Sequence, residues 1–97
     1  MIFHVITRFD WEKALKQGYH EPPSLELEGF IHASGEAQVP GVISRYYRDQ
    51  QNLLLLHINE DKLTPELKYE LAPSVNEVFP HIFGRLNLDA VEKVTDI

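Results

Sequence analysis

The sequence predicts one α+β domain with a mixed or antiparallel sheet and two helices. Three observations carry that reading. The chain has 97 residues, and a domain usually takes about 100–150, so one hydrophobic core is all it supports. Its composition, 43% hydrophobic and 25% charged, is that of an ordinary globule and disfavours disorder. Helix-period segments cluster early in the chain while strand-like runs dominate later, the order expected when helices and strands segregate.

The elements follow in order. Ile2 to Thr7 (I-F-H-V-I-T) is an apolar, β-branched run of strand length. Asp10 stands where a carboxylate accepts the free N–H groups of a first helical turn. Trp11, Ala14 and Leu15 then share a face, Glu12 and Lys16 are spaced i,i+4, and Gly18 supplies the stop. Tyr19 to Glu28 reads as a loop, because Pro22 and Pro23 are excluded from a helix interior. Gly29 to Ser34 (G-F-I-H-A-S) reads as a second strand. Val39, Val42, Ile43, Tyr46 and Tyr47 follow the helical rhythm toward Gln50, with Pro40 either opening that helix or kinking its first turn. Asn52 to Ile58 is a continuous apolar run, the pattern of a central strand buried on both faces. Leu67 to Leu71 is a further strand, and Ala72 to Pro80 a turn-rich loop. From Leu86 to Val94 the pattern fits either a helical turn opened by Asp89 or an edge strand carrying Val91 and Val94.

Composition also excludes function classes. The chain has no cysteine, which removes disulfides, thiolate metal sites and cysteine nucleophiles. Nine basic residues against fifteen acidic ones argue against non-specific coating of nucleic acid, but leave room for a local basic pocket that takes a small phosphate ligand. No apolar run approaches the roughly 20 residues of a membrane helix, and Met-Ile-Phe-His carries no signal-peptide pattern. No membrane partner is expected, and the expected location is cytoplasmic. Neither a glycine-rich phosphate loop nor a G-x-S-x-G nucleophile setting is present.

Histidines are the chemistry-bearing residues that stand out. There are five, with no H-x-H or H-E-x-x-H spacing, so no metal site is expected. His4 and His32 interrupt apolar strands, where an inward-facing imidazole must find a hydrogen-bond partner. The bland reading is a core histidine on a backbone carbonyl. Two such histidines on strands ending in Thr7 and Ser34 point instead to a shared cleft. Glu70 falls opposite Tyr69 and Leu71 by strand alternation; it is a solvated residue, or a carboxylate steadying a cationic sugar if it faces that cleft. Tyr46 and Tyr47 serve as core residues or as a stacking platform, and Ser24, Glu28 and Gln38 suit a polar rim. Phe79 to Gly84 (F-P-H-I-F-G) reads as a packed loop closing the sheet edge. A two-histidine phosphoesterase is one alternative: His32 and Ser34 fit an H-x-S pattern, whereas His4 and Thr7 are one residue too far apart. A non-catalytic nucleotide-binding module is the other.

The chain resembles a family of small bacterial proteins known as domain of unknown function number 952. The resemblance rests on I-F-H-V-I-T at 2–7, W-E-K-A-L-K-Q-G at 11–18, S-L-E-L-E-G-F-I-H-A-S at 24–34, Gln38, the leucines 53–56, Glu70, and F-P-H-I-F-G with Leu86. More distantly, the order of His4 with Thr7, Trp11 to Gly18 and Ile31 to Ser34 is similar to the ADP-ribosyltransferase superfamily, especially the NAD-using domain of RNA 2′-phosphotransferases. That likeness implies a split sheet with an NAD pocket at the split, and transfer of ADP-ribose to an acceptor it does not identify. It implies that His4 holds the adenine-side ribose, that Thr7 of the same motif also binds the cofactor, and that Ser34 and His32 face the nicotinamide side. Tyr46 or Tyr47 would stack on the ring, and Glu70 would stabilise the oxocarbenium ion as nicotinamide leaves. The first motif departs from the superfamily's H-G-T, and the arginines that grip RNA phosphate there have no counterparts among Arg8, Arg45, Arg48 and Arg85.

Overall fold

In the computed structural model, which describes all 97 residues, the first apolar run forms β1 (Ile2–Thr7) and leads directly into α1 (Arg8–Gln17). Thr7 caps this helix, its Oγ1 accepting from the Asp10 N–H at 3.1 Å, so Asp10 lies in the first turn and is not the cap expected for it. Gly18 ends the helix in the left-handed conformation at φ 93°, as its position predicts.

The segment expected to be a loop holds a two-residue strand, β2 (Tyr19–His20), and a short helix, α2 (Pro23–Glu28). Pro23 occupies the first helical position, where a missing N–H costs nothing and the fixed φ helps, so the Pro-Pro pair starts a helix here. The expected second strand contracts to β3 (Ile31–His32). A 3₁₀ turn at Glu36–Gln38 runs into α3 (Val39–Tyr46), with Pro40 in its first turn. The protein therefore has three α-helices, not two.

The leucine run forms β4 (Leu53–Ile58), which lies between β1 and β8 (Val91–Asp96), antiparallel to both, and so is central as expected. A second antiparallel ladder runs β3-β6-β5, with β5 at Glu66–Ala72 and β6 at Glu77–Phe83. The F-P-H-I-F-G segment is thus mostly the middle strand of this sheet. Pro80, lacking an N–H, sits where the β3 ladder has just ended, and only its carbonyl is used, accepting from the Ala33 N–H at 3.1 Å. A small ladder pairs β2 with β7 (Leu86–Asn87), and a 3₁₀ turn joins β7 to β8, so both readings of the C-terminal segment hold in part.

One isolated bridge joins the two three-stranded sheets. The Phe3 N–H donates to the Ser34 carbonyl at 2.8 Å, and the Ser34 N–H to the Phe3 carbonyl at 2.7 Å. Pairing between β1 and β3 stops there. The main core gathers Ile2, Ile6, Ile31, Leu54, Leu56, Ile58 and Ile82 from both sheets, with Leu86 from the small ladder. A smaller cluster of Phe3, Val5, Val39 and Leu53 lies beneath α3. No helix is long and apolar enough to cross a membrane.

Candidate functional site

The sheets part beside the Phe3–Ser34 bridge, and a cavity of about 630 Å³ opens there, within the usual range for small-molecule sites. Its wall takes His4 and Val5 from β1, Phe30 and His32 to Ser34 around β3, Tyr46 and Tyr47 from the end of α3, and Phe79 and His81 from β6. Chain segments far apart in sequence thus bring His4, His32, Ser34, Tyr46 and Tyr47 to one cleft. Thr7 lines a smaller adjoining cavity of about 240 Å³, shared with His4, Asp10, His20 and Ser24. Neither wall carries a lysine or an arginine.

His4 is buried, and both of its ring nitrogens are engaged. Nδ1 lies 2.6 Å from the His32 carbonyl, which can only accept, so the proton resides on Nδ1. Nε2 is then an acceptor and takes a hydrogen bond from His20 Nε2–H at 3.2 Å. Burial, reinforced by the neighbouring His20, pushes the His4 pKa down to about 3. Burial, aided by Lys13, lowers His20 to about 4. Both imidazoles are therefore neutral at pH 7. The carbonyl-bonded core histidine anticipated for His4 is what its geometry shows, with an edge on the cleft. His4 and His32 are not matched as an acid–base pair, since their contact runs through the His32 backbone.

A second group sits on the opposite wall. His81 is buried, with Nδ1 donating to Glu70 Oε1 at 2.7 Å. Its ring stacks flat on Phe30, with centroids 3.9 Å apart and planes at 15°. His32 is exposed, its Nε2 bonded to Glu28 Oε2 at 3.0 Å, and its ring stands edge-on to His81 at 5.6 Å. Two imidazoles, each oriented by a carboxylate, thus face one cleft. Glu70 lies between the exposed Tyr69 and Leu71 but is only half-exposed, because its side chain turns toward His81. Its carboxylate is not part of the cavity wall.

The remaining candidates are placed as follows. Ser34 is buried and lines the cavity; its hydroxyl makes no intramolecular hydrogen bond, and since no fully buried side-chain oxygen lacks a partner, Oγ keeps some exposure. Tyr46 is exposed at the mouth. Tyr47 is half-buried, its hydroxyl donating to the Val5 carbonyl at 3.4 Å, and burial, with Asp10 adding to it, raises its pKa. Thr7 Oγ1 is occupied as an acceptor by the helix cap. Gln38 ties its turn to β6, accepting from the Gly35 N–H at 2.9 Å and donating to the Val78 carbonyl at 2.9 Å. Ser24 donates to the Phe30 carbonyl at 3.0 Å. His57 is bonded to Thr95 on the outer strand, away from the cleft.

Sequence reasoning missed His81, His20 and Phe30 as site residues. The signal for His81 was alternation: in a strand from 77 to 83, residues 79, 81 and 83 share the face opposite the buried Pro80 and Ile82. Reading that segment as a loop concealed it.

Solved structures of one protein are similar to this chain over nearly its whole length. The crystal structure of CC0527 from Caulobacter crescentus is 30% identical, with a TM-score of 0.88 over 98% of this chain and 83% of that one. Its solution NMR structure is 31% identical, with a TM-score of 0.83 over 99% and 83%. A search of the curated proteins returns no match. The family model described as "Protein of unknown function (DUF952)" matches residues 5–94, and the chain therefore belongs to that family.

Proposed function

We propose that the cleft binds NAD or a related nucleotide and that the protein is an ADP-ribosyltransferase-like transferase. The observation that carries this reading is the split itself. Two antiparallel sheets part after a single bridge, and the opening collects His4, His32, Ser34, Tyr46 and Tyr47, the residues for which the superfamily likeness implies an NAD-binding role. A cavity of about 630 Å³ is large enough for a nucleotide-sized ligand. Tyr46, exposed at the mouth with the Arg45 guanidinium 5.7 Å from its ring centroid, supplies an aromatic surface for stacking, and the unpartnered Ser34 hydroxyl supplies a polar anchor.

Two features shape how such a ligand is held. With both His4 nitrogens engaged, a ribose hydroxyl reaches Nε2 only by displacing His20. With no lysine or arginine on the wall, phosphate groups rely on hydroxyls, backbone N–H groups and solvent at the mouth. Affinity should accordingly be modest.

The test is an amide NMR titration of the labelled protein with NAD, repeated with adenosine phosphates. Shifts concentrated at His4, His32 to Ser34, Tyr46 and His81 are expected, and nicotinamide release is then assayed. Saturable binding without release, even on long incubation, would leave a non-catalytic binding module. No shifts at millimolar NAD would remove the nucleotide reading.

A further inference from the structure

We propose that the acceptor in this cleft is an uncharged hydroxyl, water or an alcohol, and that His81, held by Glu70, takes its proton. This rests on the ADP-ribosyl reading and names the acceptor class that reading leaves open.

The geometry of His81 is that of a positioned base. Its Nδ1–H is committed to Glu70 at 2.7 Å, which leaves the lone pair on Nε2. Nε2 has no intramolecular partner and, since no fully buried side-chain nitrogen lacks one, it keeps some exposure in a residue that lines the cavity. Flat stacking on Phe30 at 3.9 Å fixes the plane of the ring. A carboxylate behind an imidazole sets its tautomer and stabilises the imidazolium formed when the other nitrogen accepts a proton. Glu70 is thus a positioning residue acting through His81.

The surroundings define what the base acts on. Phosphate monoesters and carboxylates are ionised at neutral pH and need no base, whereas water and alcohols must lose a proton as they attack. The wall has no lysine or arginine to receive an anionic acceptor, and two carboxylates, Glu28 and Glu70, stand beside the two histidines. Both facts weigh against an anionic acceptor, and a positioned base suits a neutral O–H nucleophile. In the step, the acceptor oxygen bonds to C1′ of the ribose as the C1′–N bond to nicotinamide breaks. The electron pair of that bond returns to the nicotinamide ring nitrogen, which leaves neutral, and the O–H proton passes to His81 Nε2 and on to solvent.

The experiment uses the full chain labelled with ¹⁵N-histidine. Ring signals are followed on adding NAD and ADP-ribose, and products are analysed in water, with methanol and with inorganic phosphate. Expected are a shift of the His81 ring nitrogens, ADP-ribose and its methyl glycoside as products, and no ADP-ribose phosphate ester. His81→Gln should lower kcat by about 100-fold or more while NAD still binds. Glu70→Gln, at a half-exposed site, should lower kcat at least about tenfold with KM unchanged. If His81→Gln does not fold, the ring shifts and Glu70→Gln carry the test. The proposal falls if NAD binds but the His81 ring does not respond, if a natively folded His81→Gln keeps its rate, if phosphate outcompetes methanol, or if no acceptor yields product. In each of those cases nucleotide binding stands. Absence of NAD binding overturns both readings.

Discussion

His4 and His20 make acid stability a property of two side chains. Above pH 6.5 both are neutral whether the chain is folded or not, so they contribute no pH dependence. Below it the unfolded chain takes up two protons that the folded protein refuses until about pH 4 for His20 and about pH 3 for His4. The folded pKa values are depressed, so stability is lost as pH falls through this window, by about 1.4 kcal/mol per unit per histidine. Between pH 7 and 5 the loss should reach about 2 kcal/mol for each as an upper figure. Urea denaturation at both pH values checks this, and His20→Gln should remove roughly half of the slope. An equally steep slope in that variant would sink the assignment. His4 and His32 were legible because a polar ring interrupts an apolar strand. What lay beyond sequence was the partner of each, since His20 and Glu28 come from elements that local pattern did not reveal.

Among the elements, two glycines separate conformational from steric cost. Gly18 closes α1 at φ 93° with nothing within 4 Å of an added Cβ, so Gly18→Ala meets only the left-handed penalty, about 1 kcal/mol. At Gly84, between β6 and β7, the backbone is unremarkable, but a Cβ would stand 2.7 Å from the Pro65 Cβ. Gly84→Ala should cost about 1–3 kcal/mol through forced displacement. Thermal denaturation of the pair should rank Gly84→Ala below Gly18→Ala; the reverse order would contradict the contact with Pro65. Strongly patterned elements were readable: β1, β4 and β5 lie within a residue of their expected bounds, and α1 starts three residues before the expected Asp10 cap allows. The helix that Pro40 opens was readable too, but two other proline-marked segments were not. Pro22-Pro23 opens a helix where a breaker was expected, and Pro80 lies inside a central strand, because each ring falls where no N–H is required. The cleft inherits this, its legible half coming from β1 and β3 and its hidden half from β6.

For the molecule as a whole, charge decides how an anionic ligand arrives. The formal charge is −6 and the cleft has no lysine or arginine to offset it. Raising ionic strength screens that repulsion, so NAD affinity should hold or improve by roughly twofold between low and physiological salt. Titrations at two salt concentrations test this. A tenfold weakening would mean that cations outside the wall, such as Arg45 or Arg48, grip the phosphates.

The seam between the sheets holds one more consequence. Phe3 and Ser34 close it with two backbone hydrogen bonds, and a third runs across the same gap from the His4 ring to the His32 carbonyl. Residue 4 therefore works like a rivet beside a hinge pin, adding a side-chain tie between two plates that also share one core. Shortening the side chain there would leave the His32 carbonyl and the His20 ring without their partner, while the leucines and isoleucines shared by both plates still hold them together.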